Sequence, residues 1–303
     1  MAAVGQHAAA AASRWRVWLL AARPRTLPVA VAPVLVGTSL AAADGAARWA
    51  PAAAALLGAL LLQIGANLAN DLFDHEKGAD GPDRVGPPRA LQQGLVGTAQ
   101  MRRAIAVVFG AAIGVGAYLV AVGGWPIAVV GLLSVAAALA YTGGPFPFGY
   151  KGLGDVAVFA FFGLVAVGGT YYLQVGALTA AAVGAALPVG ALATAILVVN
   201  NLRDIDTDAR VGKRTLAVRI GPRATRIQYN GLLVCAYSLL PIFWLAGGTS
   251  PWVLLPLATL PLALRLAATV TRATGGPALN AALAGTAQLC LAFSLLFALG
   301  WLL

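Results

Sequence analysis

Long apolar runs separated by short polar loops set the pattern of this chain. Nine stretches, at roughly 26–43, 50–70, 103–122, 125–141, 155–174, 178–200, 228–247, 251–270 and 283–302, are each apolar enough to cross a bilayer as a helix of about 20 residues. Polar and apolar residues do not alternate in twos, so the strands of an outer-membrane barrel are not the source of the pattern. The expected fold is an all-α polytopic membrane protein, a bundle of about nine transmembrane helices forming one domain over residues 23–303. The segment MAAVGQHAAAAAS lacks a basic region ahead of an apolar core, so residues 1–22 read as a flexible tail and not as a cleaved signal peptide.

Composition agrees with a membrane origin. The 303 residues are 60% hydrophobic and 10% charged, with a mean hydropathy of +0.84 and a net charge of +10. That charge does not point to nucleic acid, because the basic residues sit in short loops between apolar runs. With nine spans, eighteen of the twenty basic residues fall on one face, Arg48 falls on the other, and Arg265 lies inside a span near its end, placed to snorkel. The positive-inside rule then puts the N-terminus and both long loops in the cytoplasm and the C-terminus outside. Cys235 and Cys290 lie within apolar runs with no nearby partner, which reads as two small buried hydrophobes with no disulfide or metal framework.

Acidic residues are the scarce resource. Only ten exist, and eight of them, Asp71, Asp74, Glu76, Asp80, Asp83, Asp204, Asp206 and Asp208, occupy the two long cytoplasmic loops and the helix ends that lead into them. If the second span continues helically beyond the membrane, Asn67, Asn70, Asp71 and Asp74 fall at i, i+3, i+4 and i+7, on one stripe. At the end of the sixth span, Asn200, Asp204 and Asp208 repeat every four residues, again on one face, while Asp206 and Glu76 point elsewhere. NDLFD at 70–74 and NNLRD at 200–204 read as a weak internal repeat, four spans apart and hence on the same side of the membrane. Two carboxylate stripes meeting at a bundle mouth form a hard-oxygen site suited to Mg²⁺, an ion held by a few carboxylates and substrate phosphates. The expected ligands are Asp71, Asp74, Asp204 and Asp208 with Asn70, and Asp80 as a further candidate. His75 reads as a solvated neighbour.

Cations stand beside these acids. Lys77, Arg203, Lys213 and Arg214 flank the motifs, Lys151 comes from the loop YTGGPFPFGYKGLGD at 141–155, and Arg25 comes from RPRT ahead of the first span. Metal and cations together imply a shared anion, and diphosphate is the natural one. Asn67, Asn70, Asn200, Asn201, Lys77, Lys213, Arg25, Tyr141 and Tyr150 form the expected binding surround. Aromatics of the third loop and the next span, including Phe159, Phe161 and Phe162, offer ring faces that can shelter a carbocation. A membrane carrier for ions is the rival reading, but carriers place ionisable residues inside their spans, and these spans hold almost none.

Four stretches, RPRTLPVAVAPVLVG, ANDLFDHEKGADGPDRVGP, YTGGPFPFGYKGLGD and NNLRDIDTDARVGKRTLAVRIG, taken in order, resemble the UbiA superfamily of intramembrane aromatic prenyltransferases, and within it the menaquinone branch. The general family pattern N-D-x-x-D-x-x-x-D stands here as Asn70, Asp71 and Asp74, but position 78 is Gly and the third acid arrives at Asp80. The resemblance implies a nine-helix bundle in the bacterial inner membrane, with a cytoplasmic active site and a tunnel for a prenyl tail. It further implies Mg²⁺ held by Asp71, Asp74, Asp204 and Asp208 against a polyprenyl diphosphate, with Lys151 and Arg203 on the phosphate oxygens. The implied acceptor is 1,4-dihydroxy-2-naphthoate; other acceptors used within the superfamily stay open.

Overall fold

The computed structural model describes residues 14–79 and 85–303, and every element among them is helical. In chain order these are α1 (Arg14–Ala22), a 3₁₀ turn at Pro24–Thr26, α2 (Pro28–Ala43), α3 (Trp49–Glu76), α4 (Thr98–Gly123), α5 (Trp125–Ala140), a 3₁₀ turn at Phe148–Lys151 and α6 (Gly154–Val175). They are followed by α7 (Ala180–Arg203), α8 (Ile205–Arg210), α9 (Leu216–Gly247), the 3₁₀ turn Pro251–Thr259 running into α10 (Leu260–Arg272), and α11 (Gly276–Leu302). Each expected span falls on one of these helices.

Among the described residues, seven helices are long and apolar enough to cross a bilayer. An eighth crossing is available if α1 and its 3₁₀ turn, Trp15–Thr26, count with α2 as one span bent by 53°. The remaining apolar helix, Trp125–Ala140, has 16 residues and falls short of a full crossing by length. Residues 14–22, expected as part of a flexible tail, instead form α1, whose Val17 and Ala21 are buried against Leu68 and Leu72 of α3. The amphipathic pairing explains the difference: two apolar side chains on one turn find an apolar face to cover. Cys290 is buried as expected, whereas Cys235 is exposed on the outer surface of α9.

The sequence also dictates where helices stop and bend. Gly124, at φ 73°, separates α4 from α5, a left-handed backbone that glycine adopts without cost. Gly221, at φ 80°, breaks α9 ahead of Pro222, as expected for a residue that precedes proline. Thr179 and Thr215 cap α7 and α9, accepting from the amides of Ala182 and Val218.

Helix α7 is the hub. It is apolar on every side, most of its length is buried, and α2, α6, α9 and α11 pack around it. Glycines permit the closest crossings. A Cβ at Gly163 of α6 would lie 2.8 Å from the Ala186 carbonyl of α7, and one at Gly37 of α2 would lie 2.6 Å from the Val167 carbonyl of α6. Within α6 the stretch Phe159–Val165 is π-helical, an over-wide turn of a kind frequent at functional sites.

Candidate active site

A cavity of about 1530 Å³ runs down the bundle, walled by α2 to α7 and lined at one end by α8, α11 and the loops at 85–97 and 141–153. Its two ends differ completely. This end is polar: Asn70, Asp74, Arg89, Asn200, Asn201, Arg203, Asp204, Asp208 and Lys213 all line it. The deep end is apolar, bounded by Val34, Ala55, Leu119, Val120, Ile127 and Leu173.

At the polar end the first acidic motif is supplied by the last turns of α3. Asp74 is buried and accepts from Arg89 Nη1 at 2.7 Å and from the Tyr150 hydroxyl at 2.6 Å. Arg89 Nη1 also donates to the Asn70 carbonyl at 3.0 Å, and Thr142 donates to Asn70 Oδ1 at 2.9 Å. Lys77 reaches the Thr142 carbonyl and stands over the Tyr150 ring, 4.6 Å from its centroid. Lys213 approaches the same ring at 5.3 Å. Burial, then the Asp74 charge beside it, pushes the Tyr150 hydroxyl well above its usual range, so it stays a proton donor to that carboxylate.

The second motif sits where α7 gives way to α8. Asp204, at φ −96° and ψ 8°, interrupts the helix, and its own carboxylate receives a two-pronged contact from Arg203: Nε to Oδ1 at 2.7 Å and Nη2 to Oδ2 at 2.5 Å. Nη2 also donates to Asn200 Oδ1 at 2.8 Å and Nη1 to Asn280 Oδ1 at 2.9 Å, so four of the five guanidinium protons are placed. Arg203 is therefore locked in one orientation. Asp208 pairs with Lys213 at 3.3 Å. Burial, aided by the charges of Asp204 and Asp74, raises its carboxyl to about 6, and Lys213 only partly offsets this. Asp206, as expected, is exposed on the other side of α8, and Glu76 is engaged outside the cavity by Arg102 at 2.7 Å.

Eleven of the expected residues thus line one cavity: Asn67, Asn70, Asp74, Tyr141, Asn200, Asn201, Arg203, Asp204, Asp208, Lys213 and Arg25. Asn67 is occupied there, donating to the Ala22 carbonyl and the Thr26 hydroxyl and so tying α1 and its turn to α3. Four others do not line it. Asp71 is buried on the neighbouring side of α3, Lys77 and Tyr150 support Asp74 from the rim, and Lys151 is exposed, stacked on Phe146 at 3.8 Å. Asp80 lies outside the described residues. The sequence reading missed Arg89, Thr142 and Asn280, which come from loops or a helix start where no periodicity marks them.

The expected cage of four carboxylates is also modified. Among the described residues no three acidic, His or Cys side chains gather closely enough to hold one ion by themselves. Each carboxylate facing the cavity is instead paired with a cation, as buried charges require. The donor set still suits Mg²⁺. Asp208 Oδ2 is buried with no hydrogen-bond partner, and two further carboxylates, those of Asp204 and Asp74, act on it electrostatically. Mg²⁺ commonly takes one or two carboxylates and completes its shell with waters and substrate phosphates.

A helical membrane bundle that joins a charge-lined pocket to a deep apolar channel is built to hold an amphiphile with an anionic head. Comparison with known proteins narrows that class. The profile of the UbiA prenyltransferase family matches residues 30–283. The 1,4-dihydroxy-2-naphthoate octaprenyltransferase of Escherichia coli is 42% identical over 294 residues, covering 95% of this chain and 96% of that protein. Its namesake in Mycobacterium tuberculosis is 44% identical over 280 residues, covering 92% and 94%. Among solved structures, a UbiA homolog from Archaeoglobus fulgidus bound to GPP and Mg²⁺ shares the fold with a TM-score of 0.62 at 14% identity, covering 94% of this chain and 99% of that one. The chain belongs to the UbiA prenyltransferase family. It is a membrane-bound prenyltransferase, which sets the carrier reading aside.

Proposed function

We propose that the protein transfers a polyprenyl group from polyprenyl diphosphate to 1,4-dihydroxy-2-naphthoate, releasing diphosphate and CO₂ and giving the quinol form of demethylmenaquinone. The observation that carries this reading is the continuity of one cavity from the paired charges of both acidic motifs to an apolar end more than a dozen residues away along α3 and α5. The acceptor follows from the naphthoate-prenylating relatives, which match nearly the whole chain.

Each residue at the polar end has a part. Arg203, held by Asp204, Asn200 and Asn280, presents a fixed guanidinium edge to the diphosphate, and Lys213 and Arg89 add charge on either side of it. Mg²⁺ bound by Asp74, Asp204 and Asp208 would neutralise negative charge growing on the leaving diphosphate. The allylic C–O bond breaks and its electron pair leaves with diphosphate. Tyr141 and Phe148, edge to face at 5.4 Å, together with Phe161 and Phe162, line the cavity next to this point; their faces attract the allylic cation and exclude water. The ring carbon bearing the carboxylate forms the new C–C bond, and loss of CO₂ restores aromaticity. The excess of Lys and Arg in the long loops supports a polar end at the cytoplasmic face of a bacterial plasma membrane.

The test is turnover of purified, nanodisc-held protein with radiolabelled polyprenyl diphosphate and a panel of acceptors, with and without Mg²⁺. A prenylated, decarboxylated naphthoquinol formed only with Mg²⁺ is the expected product. Reaction with 4-hydroxybenzoate alone would keep the chemistry and replace the acceptor, and no prenylation of any acceptor would sink the reading.

A further inference from the structure

A second groove, of about 640 Å³, lies between α9 and α10 and shares no lining residue with the active-site cavity. Its floor is Leu233, Tyr237 and Ala263, all buried, and its rims are Val234 and Leu264, both exposed. Both rims belong to helices that cross the membrane, Leu216–Leu245 and Pro251–Arg272, so the groove opens onto lipid. Residue size creates it. Where α9 presents Leu233, Val234 and Tyr237, α10 presents Ala263, Ala267 and Ala268, which are too small to fill the space between the helices.

One end of this groove is polar and positive. Asn230 donates to the Thr271 hydroxyl at 3.2 Å, and that hydroxyl donates to the Ala267 carbonyl at 2.7 Å. Asn230 Oδ1 is left buried with no hydrogen-bond partner. Arg272 lines the same end and is exposed, and Arg226, one turn before Asn230, donates to the Val270 and Ala273 carbonyls at 3.2 and 2.9 Å. No Asp or Glu follows Asp208 in the chain, and among the described residues neither arginine is paired with a carboxylate. From Arg272 to Leu260, at the far end, is twelve residues of helix, roughly 18 Å. That is close to the depth of one leaflet of hydrocarbon, about 15 Å.

We infer that the groove between α9 and α10 seats one anionic phospholipid of the adjoining leaflet. Its phosphate lies on Arg272, a headgroup hydroxyl donates to Asn230 Oδ1, and one acyl chain runs over Leu233, Tyr237 and Ala263. Positive pockets between membrane helices take anionic headgroups in this way. Phosphatidylglycerol is the occupant that fits. It brings a net negative charge to arginines without carboxylate partners, and it brings hydroxyl donors to an acceptor that has none. Phosphatidylcholine carries no net charge and its headgroup has no proton to donate.

The experiment is native mass spectrometry of the full chain in detergent, titrated with dioleoyl phosphatidylglycerol and, separately, dioleoyl phosphatidylcholine. Wild type is compared with Arg272→Gln, Ala267→Phe and Arg103→Gln, the last removing an exposed charge from the start of α4, away from the groove. Wild type should hold one phosphatidylglycerol about fivefold or more tighter than phosphatidylcholine, and Arg272→Gln should remove that preference. Ala267→Phe, which fills the groove, should weaken both lipids, and Arg103→Gln should match wild type. Arg272 is exposed, so its replacement leaves the packing intact and the test does not depend on Ala267→Phe folding. Equal affinity for the two lipids in wild type, or equal loss in Arg103→Gln and Arg272→Gln, would overturn the site. So would phosphatidylglycerol binding that Arg272→Gln leaves unchanged, as expected of a lipid held in the active-site cavity. None of these readouts passes through catalysis, so the result stands apart from the prenyl-transfer reading.

Discussion

The two acidic motifs look alike on paper and are presented differently by the fold. In the second, Asn200, Asp204 and Asp208 all face the cavity, although the helix breaks at Asp204. In the first, the helix is unbroken through Glu76, yet Asp74 faces the cavity and Asp71 does not. The reason is phase. Along α3 the cavity stripe runs through Ala55, Ala59, Leu62, Ala66 and Asn70; at about 100° per residue, Asp74 sits on its edge and Asp71 lies about 60° further round. Spacing within a motif tells which residues neighbour each other. Only the apolar stripe leading into it tells which of them face the site.

That comparison can be broken first at the residues both motifs place in the cavity. Asp74→Asn, Asp204→Asn and Asp208→Asn should each lower kcat/KM by about 10²–10³-fold in the Mg²⁺-dependent assay, the scale of losing one group that stabilises developing charge. Retained activity at Asp208 with loss at Asp206 would reverse the assignment of faces on α8. Arg89→Ala should be next. It leaves Asp74 buried without its 2.7 Å partner, so the protein should lose about 3 kcal/mol of stability as well as activity, measurable as a lower midpoint in thermal unfolding in detergent. Arg89→Lys should recover part of both.

Asp71 sharpens the contrast. Because its carboxylate stands off the cavity, Asp71→Asn should reduce kcat/KM by at least about tenfold less than Asp74→Asn, and equal losses would show that the phase argument fails.

A smaller effect concerns pH. The Asp208 carboxyl titrates at about 6, above the ordinary carboxylate range, so its ionised form is the costly one in the folded protein. That cost is absent below about pH 4, grows between there and about pH 6, and is fully present above. In metal-free buffer, Asp208→Asn should therefore raise the unfolding midpoint at pH 8 by a few degrees and give no gain at pH 4. A gain at pH 4 that vanishes at pH 8 would contradict the sign. The smallest effect is expected at Asp206→Ala, exposed and outside the cavity, where stability should change by no more than about 0.5 kcal/mol.

Much of the fold was legible because lipid leaves a chain few choices: every apolar run must satisfy its backbone within itself, and every expected span is a helix. The second motif was legible for the same reason, since a four-residue repeat stays on one face even across a slight break. Lys151, which the resemblance sets on the phosphate oxygens, is exposed and stacked on Phe146, and a loop has no period from which that direction could be read. Arg89 and Asn280 were invisible for the opposite reason. They reach the site from the 85–97 loop and from the start of the last helix, far in sequence from the groups they hold.

The central claim is that both motifs act on one diphosphate through one Mg²⁺-dependent site. The most direct measurement is binding of a non-ionisable thiolo-diphosphate prenyl analogue to nanodisc-held protein, titrated with Mg²⁺ and then with chelator, in wild type, Asp74→Asn and Asp208→Asn. Tight binding that appears with Mg²⁺, reverses with chelator and is lost in both variants is the predicted result. Binding that ignores chelator, or that depends on one motif alone, would contradict the account.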